Sequence, residues 1–290
     1  MADYNPKSEL TLHISKSNGE EVIEKFDFKA AQIFVTGGRQ SYAISETNDW
    51  YGENVKRLYV HASYTANPWS SVRSSKGLLA QMKECARLNA KGCVIHVNKR
   101  PVDELAKAIA KHEWEVPLFL EPTAVRPSAD SYETPEKIDT LLEAIAELKG
   151  CKPQQLLKKH NIGVCLDTAH IFISTVDIKS YDDAVDYLDK FKYPKVIGLI
   201  HMNGADNLND KTGKLTCKDK HNTPFYGYTD DAGKHHPDQL WGGIKWKDSG
   251  CKAFFEFADK HNLDLIREQN RGTIDDFIKF KKLVDKHMSK

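Results

Sequence analysis

Short apolar runs alternate along the chain with stretches in which apolar residues recur every three or four positions. The runs are LTLHIS (10–15), AAQIFVT (30–36), RLYVHA (57–62), CVIHV (93–97), PLFLEP (117–122), IGVCLD (162–167), KVIGLIH (195–201) and LDLIRE (263–268). Each is apolar nearly throughout, the pattern of strands buried on both faces. The helical period occupies 74–90, 102–114, 135–150, 180–191 and 273–288. This alternation predicts one α/β domain over residues 1–290, a (β/α)8 TIM barrel. A doubly wound open sheet is the alternative, but no GxGxxG turn follows the first strand. One stretch breaks the rhythm: 202–237 is polar, aperiodic and rich in Gly, Asn and Asp. It reads as a long loop insertion after the seventh strand, and a loop of that length is usually functional or mobile.

Composition narrows the picture. The 290 residues suit one barrel, and 42 Lys+Arg stand against 41 Asp+Glu, a formal net charge of +1. That balance excludes a globally basic nucleic-acid wrapper, so any polyanion site has to be a local patch. No apolar run approaches the roughly 18–20 residues that cross a bilayer, so no membrane partner is expected. The opening MADYNPKSEL has no apolar signal core. The expected address is therefore intracellular, cytoplasmic or nuclear (a virion if the chain is viral). Cys85, Cys93, Cys151, Cys165, Cys217 and Cys251 form no CxxC pair, which fits reduced thiols.

In such barrels the loops after the strands form one open face, so the polar residue ending each run carries the interest. Those residues are His61, His96, Glu121, Asp167 with His170 three positions on, His201, then Asp219 and His221 in the long loop, and Glu268. Taken singly each has a structural reading. A His ending a strand is usually hydrogen-bonded, and Asp167 in Asp-Thr-Ala-His reads as a helix cap. Taken together, imidazoles and carboxylates without cysteine are what zinc or manganese would want. Packing them at one rim with no cation would carry a large desolvation cost. His170 lies one helical turn from Asp167, and Asp219-Lys-His221 puts two ligands on alternate residues. These side chains suit three ions sharing a bridging carboxylate. Asp231, His235 and His236 compete with Asp219 and His221 for the last positions.

At these residues the sequence resembles the endonuclease IV family of apurinic/apyrimidinic (AP) endonucleases, large-DNA-virus members included. IGVCLDTAHIFISTVDI (162–178) is similar to the family's GxCxDTxH block, and YVHASY (59–64) to its His-x-Ser-Tyr turn. VIHV, FLEPTA, LIHMN, DKH and IREQN fall in the family's order, from about residue 9 onward. The resemblance implies a (β/α)8 barrel with three Zn2+ ions, Mn2+ being an option at some sites. It places His61, His96 and Glu121 on the first ion. Glu121 would bridge to a second, held by Asp167, His201 and Glu268, and His170, Asp219 and His221 would hold the third. It makes Glu121 and Glu268 catalytic and Arg39 and Tyr64 DNA-binding. The implied activity is base-excision repair: hydrolysis 5′ to an abasic site in double-stranded DNA, leaving a 3′-OH and a 5′-deoxyribose phosphate, by a monomer. Lys99, Arg100, Arg126, Lys211, Lys214 and Lys218 are further candidates for phosphate contacts. Departures from the family are Gly204 where an Asp usually follows the seventh-strand His, and VNKRP (97–101) and VRP (125–127) in place of glycine-rich turns. Two other functions fit parts of the pattern: a single-metal sugar isomerase or epimerase of the same barrel class, and a non-catalytic lesion-binding barrel.

Overall fold

The protein is described here from a computed structural model, which places residues 8–15, 19–36, 48–205, 219, 221, 228–229, 235–236, 240, 243–268 and 274–288. The barrel strands are β1 (Leu10–Ile14), β2 (Ala30–Phe34), β3 (Arg57–His61), β4 (Gly92–Val97), β5 (Leu118–Pro122), β6 (Ile162–Asp167), β7 (Ile197–His201) and β10 (Asp264–Arg267). Between the last two lies a two-stranded antiparallel ribbon, β8 (Tyr228–Thr229) with β9 (His235–His236). The eight barrel strands close in the order β1-β10-β7-β6-β5-β4-β3-β2, so the TIM barrel expected from the alternation is the observed fold. Closure leaves no free sheet edge. It also turns every strand's C-terminal end to the same mouth.

Helices α1 (Gly19–Phe26), α2 (Trp50–Asn54), α3 (Val72–Arg87), α4 (Val102–Ala110), α5 (Pro135–Leu148), α6 (Leu156–His160), α7 (Thr168–Ile173), α8 (Tyr181–Asp189), α9 (Gly250–His261) and α10 (Ile274–Met288) follow or interleave the strands. Their starts obey capping chemistry. The side chains of Ser71, Ser180 and Ser249 accept from the first-turn N–H groups of α3, α8 and α9. The Ser71 cap starts α3 two residues before the expected 74. Helix α4 stops at Ala110 rather than 114, and Trp114 beyond its end is buried.

The barrel interior is filled by its own layer of Tyr59, Val94, Phe119, Cys165, Leu199 and Ile266, separate from the larger core between strands and helices. Phe119 is its largest apolar piece, and the neighbouring strands make room for the ring. A Cβ built on Gly92 or on Gly198 would fall 2.2 Å from it. The layer forms the floor beneath the mouth. Phe119→Ala is therefore expected to cost about 3–5 kcal/mol, the range for emptying a buried aromatic site. Urea unfolding checks this, and a loss under about 1 kcal/mol would mean that the floor collapses to refill the space.

Candidate metal centre at the barrel mouth

Seven of the predicted positions, His61, His96, Glu121, Asp167, His170, His201 and Glu268, sit on or just beyond strands β3, β4, β5, β6, β7 and β10. They converge with His221, and they form three overlapping sets whose candidate ligand atoms lie within 4.8 Å of one another. The sets are His61–His96–Glu121, Asp167–His170–His221 and Glu121–Asp167–His201–Glu268. Asp219 joins at the edge: its Oδ1 is 3.0 Å from His221 Nε2 and 3.4 Å from His170 Nε2. It is the most open member, at 43% side-chain exposure, while Glu121 and His201 are wholly buried.

Glu121 is the hub. Its Oε2 lies 3.2 Å from His61 Nε2 and 3.3 Å from His96 Nε2, whereas its Oε1 lies 3.0 Å from His201 Nδ1 and 3.4 Å from His170 Nδ1. One carboxylate thus presents each oxygen to a different group of imidazoles. Asp167 also works on two sides. Its Oδ1 accepts from the backbone N–H groups of Ala169 and His170, capping α7 as the sequence suggested, while its Oδ2 faces His221 Nε2 at 3.6 Å. The cap and the cluster are one feature, because the cap locks the carboxylate and places His170 on the first helical turn.

The surroundings decide which ring nitrogens carry protons. His61 Nδ1 lies 2.7 Å from the carbonyl of Ala62, and His170 Nδ1 lies 3.0 Å from that of Pro122. A carbonyl only accepts, so each Nδ1 is a donor, and each Nε2 is the nitrogen that faces the cluster and would offer its lone pair to an ion there. His201 is reversed: Nε2 lies 3.0 Å from Gln32 Oε1, which leaves Nδ1 facing inward. Outward N–H and inward lone pair is the arrangement in which imidazoles hold metals.

Carboxylates and imidazoles in the cluster shift one another strongly. Burial alone opposes ionisation of Glu121 and Glu268, yet the imidazoles around them, His201 foremost, hold both carboxyls well below the usual range. Burial likewise disfavours charge on His170 and His221. Asp167 overcomes it in both cases, aided by Asp219, and pushes the imidazoles up to about 10 and about 9. At His96 burial wins and the ring is driven down. Lone pairs and carboxylates aimed at common points, in a set free of thiolate, fit hard or borderline divalent ions. His221 Nδ1 is moreover buried with no hydrogen-bond partner.

Three contributors escaped the reading of strand ends. His13 of β1 lies 3.6 Å from Glu268 Oε1, and Gln32 of β2 contacts both Glu268 and His201. Asn203 donates to Asp167 Oδ2 at 2.6 Å and accepts from the Glu268 backbone N–H at 2.8 Å. The available signal was a polar residue inside an apolar run, at His13 and Gln32. Tyr64 lies at the lip, 46% exposed. Its ring is stacked 4.9 Å from that of His96 and edge-on to His61 at 5.5 Å. Arg39, Asp231, Lys211, Lys214 and Lys218 lie outside the described residues, and of His235 and His236 only the backbone pairing in β9 is described. Lys99 and Arg126 are exposed or partly so, and Arg100 pairs with Glu104.

Fold and site together define a closed (β/α)8 barrel with a buried histidine–carboxylate cluster at its C-terminal mouth. No protein-family model matches the chain. Among curated proteins it is 28% identical over 267 residues to a probable AP endonuclease of African swine fever virus (isolate Pig/Kenya/KEN-50/1950), covering 88% of this chain and 83% of that protein. Among solved structures, one described as AsfvAP:AG superposes with a TM-score of 0.72 at 21% identity, over 98% of this chain and 99% of the other. Endonuclease IV from Thermus thermophilus superposes with a TM-score of 0.64 at 19% identity, over 96% and 99%. The resemblance of this chain to the endonuclease IV family thus extends over most of its length. No described helix is long and apolar enough to cross a membrane.

Proposed function

We propose that the protein is a zinc-dependent AP endonuclease of base excision repair, cutting double-stranded DNA on the 5′ side of an abasic site to leave a 3′-OH and a 5′-deoxyribose phosphate. The observation that carries the proposal is the divided carboxylate of Glu121, each oxygen facing different imidazoles. The relatives named AP endonuclease and endonuclease IV support the same reading.

His61, His96 and Glu121 would hold one zinc. Glu121, Asp167, His201 and Glu268 would hold a second, and His170, Asp219 and His221 a third, with manganese an acceptable substitute. Bound ions supply positive charge to the phosphodiester and acidity to an attacking water. The protein's part is positional. Glu121 and Glu268 keep the ligand set at fixed spacing. The Ala62, Pro122 and Gln32 oxygens fix the rings, and the apolar floor around Phe119 closes the site from below. Asp219, the open edge of the cluster, lies where substrate enters. A baseless nucleotide has no pairing and little stacking to lose, so extruding it to the mouth costs least, and selectivity follows. Tyr64 stands at that entrance as a stacking surface, and Arg39 would add a cationic contact to the same lesion. A single-ion sugar isomerase would leave His170, Asp219 and His221 without a task, although the three converge. The chain acts as a monomer in this reading.

The test is an abasic-duplex nicking assay paired with elemental analysis of the purified chain. Specific nicking with about three zinc ions per chain is expected. One ion per chain and activity on a ketose would establish the isomerase, and lesion binding without cleavage in added zinc or manganese would establish a non-catalytic barrel. Tyr64→Ala is expected to weaken discrimination between abasic and intact duplex by about tenfold or more, since stacking on an aromatic is worth about 1–3 kcal/mol. Its ion content should not change. Loss of ions together with discrimination would instead make Tyr64 a support for His96.

A further inference from the structure

Gln32 sits in the middle of β2, completely buried in a strand that is otherwise apolar. A buried amide is costly unless it is bonded, and an apolar side chain of the same size would fill the space without that cost. Its Nε2 donates to Glu268 Oε1 at 2.8 Å and lies 2.9 Å from His13 Nδ1. Its Oε1 lies 3.0 Å from His201 Nε2.

These contacts permit one orientation of the amide. Turned over, the carbonyl oxygen would face the Glu268 carboxylate, acceptor against acceptor. Glu268 therefore fixes the amide, and the amide oxygen fixes the proton of His201 on Nε2. Nδ1, the other ring nitrogen of His201, then faces Glu121 Oε1 at 3.0 Å, Glu268 Oε2 at 3.3 Å and Asp167 Oδ2 at 3.8 Å, and is the nitrogen that a bound ion would meet. Because Gln32 occupies Glu268 Oε1, the other oxygen, Oε2, is the one offered there.

We infer that Gln32 is a positioning residue, which by one amide selects both the ring nitrogen of His201 and the carboxylate oxygen of Glu268 presented to the ion shared by Glu121, Asp167, His201 and Glu268. The inference rests on the three-ion reading above. The hydrogen bonds of Gln32 go to His13, His201 and Glu268, outside the His61–His96 and His170–Asp219–His221 groups, so the other two ions should not depend on it.

The experiment compares the zinc-loaded wild-type chain with Gln32→Leu and Gln32→Glu. Release of each ion to a chelating dye is followed, and each site is assigned by NMR of the cadmium-substituted protein. Leucine removes all three contacts. Glutamate keeps an acceptor for His201 but sets a second carboxylate against Glu268. Both variants should release one ion about 10–100-fold faster than wild type, the range for losing a partner of a ligand, with one cadmium resonance altered. The other two ions should leave at the wild-type rate. Unchanged release in both variants would overturn the inference. So would equal acceleration of all three ions, which is what mere loosening of the barrel would produce. A wild-type chain that binds no ion would instead overturn the three-ion reading itself.

Discussion

Glu121→Gln is expected to lower abasic-site nicking by roughly three orders of magnitude or more while the chain stays folded. The substitution keeps the shape and removes the charge. Each oxygen of Glu121 faces different imidazoles, so an amide there would turn an N–H toward one group of lone pairs that a cation should occupy. Metal-borne stabilisation of transition-state charge amounts to several kcal/mol, and each 1.4 kcal/mol is tenfold in rate. Ion content should fall with activity, because one residue serves two sets. Glu268→Ala should act in the same direction. Kinetics on an abasic duplex, elemental analysis and circular dichroism together check the prediction. Nicking near the wild-type rate in Glu121→Gln would end the bridging role.

The second large effect concerns stripping the ions and is read from stability against pH. In ion-free protein the buried carboxylates draw protons onto the imidazoles. His170 is pushed up to about 10 and His221 to about 9, against about 6.5 for a free imidazole. A base whose folded pKa is raised contributes stability that is fully present below its unfolded value and is lost as pH rises through the folded one. Stripped protein should thus weaken steadily from about pH 6.5 to pH 10, by on the order of a few kcal/mol. In protein loaded with the proposed zinc ions, the metal would take the place of those protons, and competition would set in only as the pH falls. The gap in Tm between loaded and stripped protein should therefore widen as pH rises across this window. Parallel Tm curves would show that the imidazoles do not exchange protons for ions.

The sequence by itself determined the barrel and most of its mouth. Runs such as IGVCLD and PLFLEP are apolar throughout because both faces of a barrel strand are buried, and that pattern survives without any knowledge of contacts. Asp167, His170, Glu121 and the strand-end histidines were legible because every parallel strand ends at the same face. Helices α2 and α6 were not read, since five residues carry too little of a helical period, and α1 and α9 were not read either.

Only the tertiary structure decided how the cluster is wired. Glu121 divides its oxygens between imidazoles that arrive from four strand ends far apart in sequence. Gln32 reaches Glu268 across 236 positions, and no local pattern encodes such a contact. His13, Gln32 and Asn203 looked like isolated polar residues in the chain. They acquire their roles because the closed sheet sets β1 between β2 and β10, which brings the first two beside Glu268. Residue types are local and can be read in order. Which nitrogen or oxygen faces inward is settled by neighbours that only barrel closure brings within hydrogen-bonding distance.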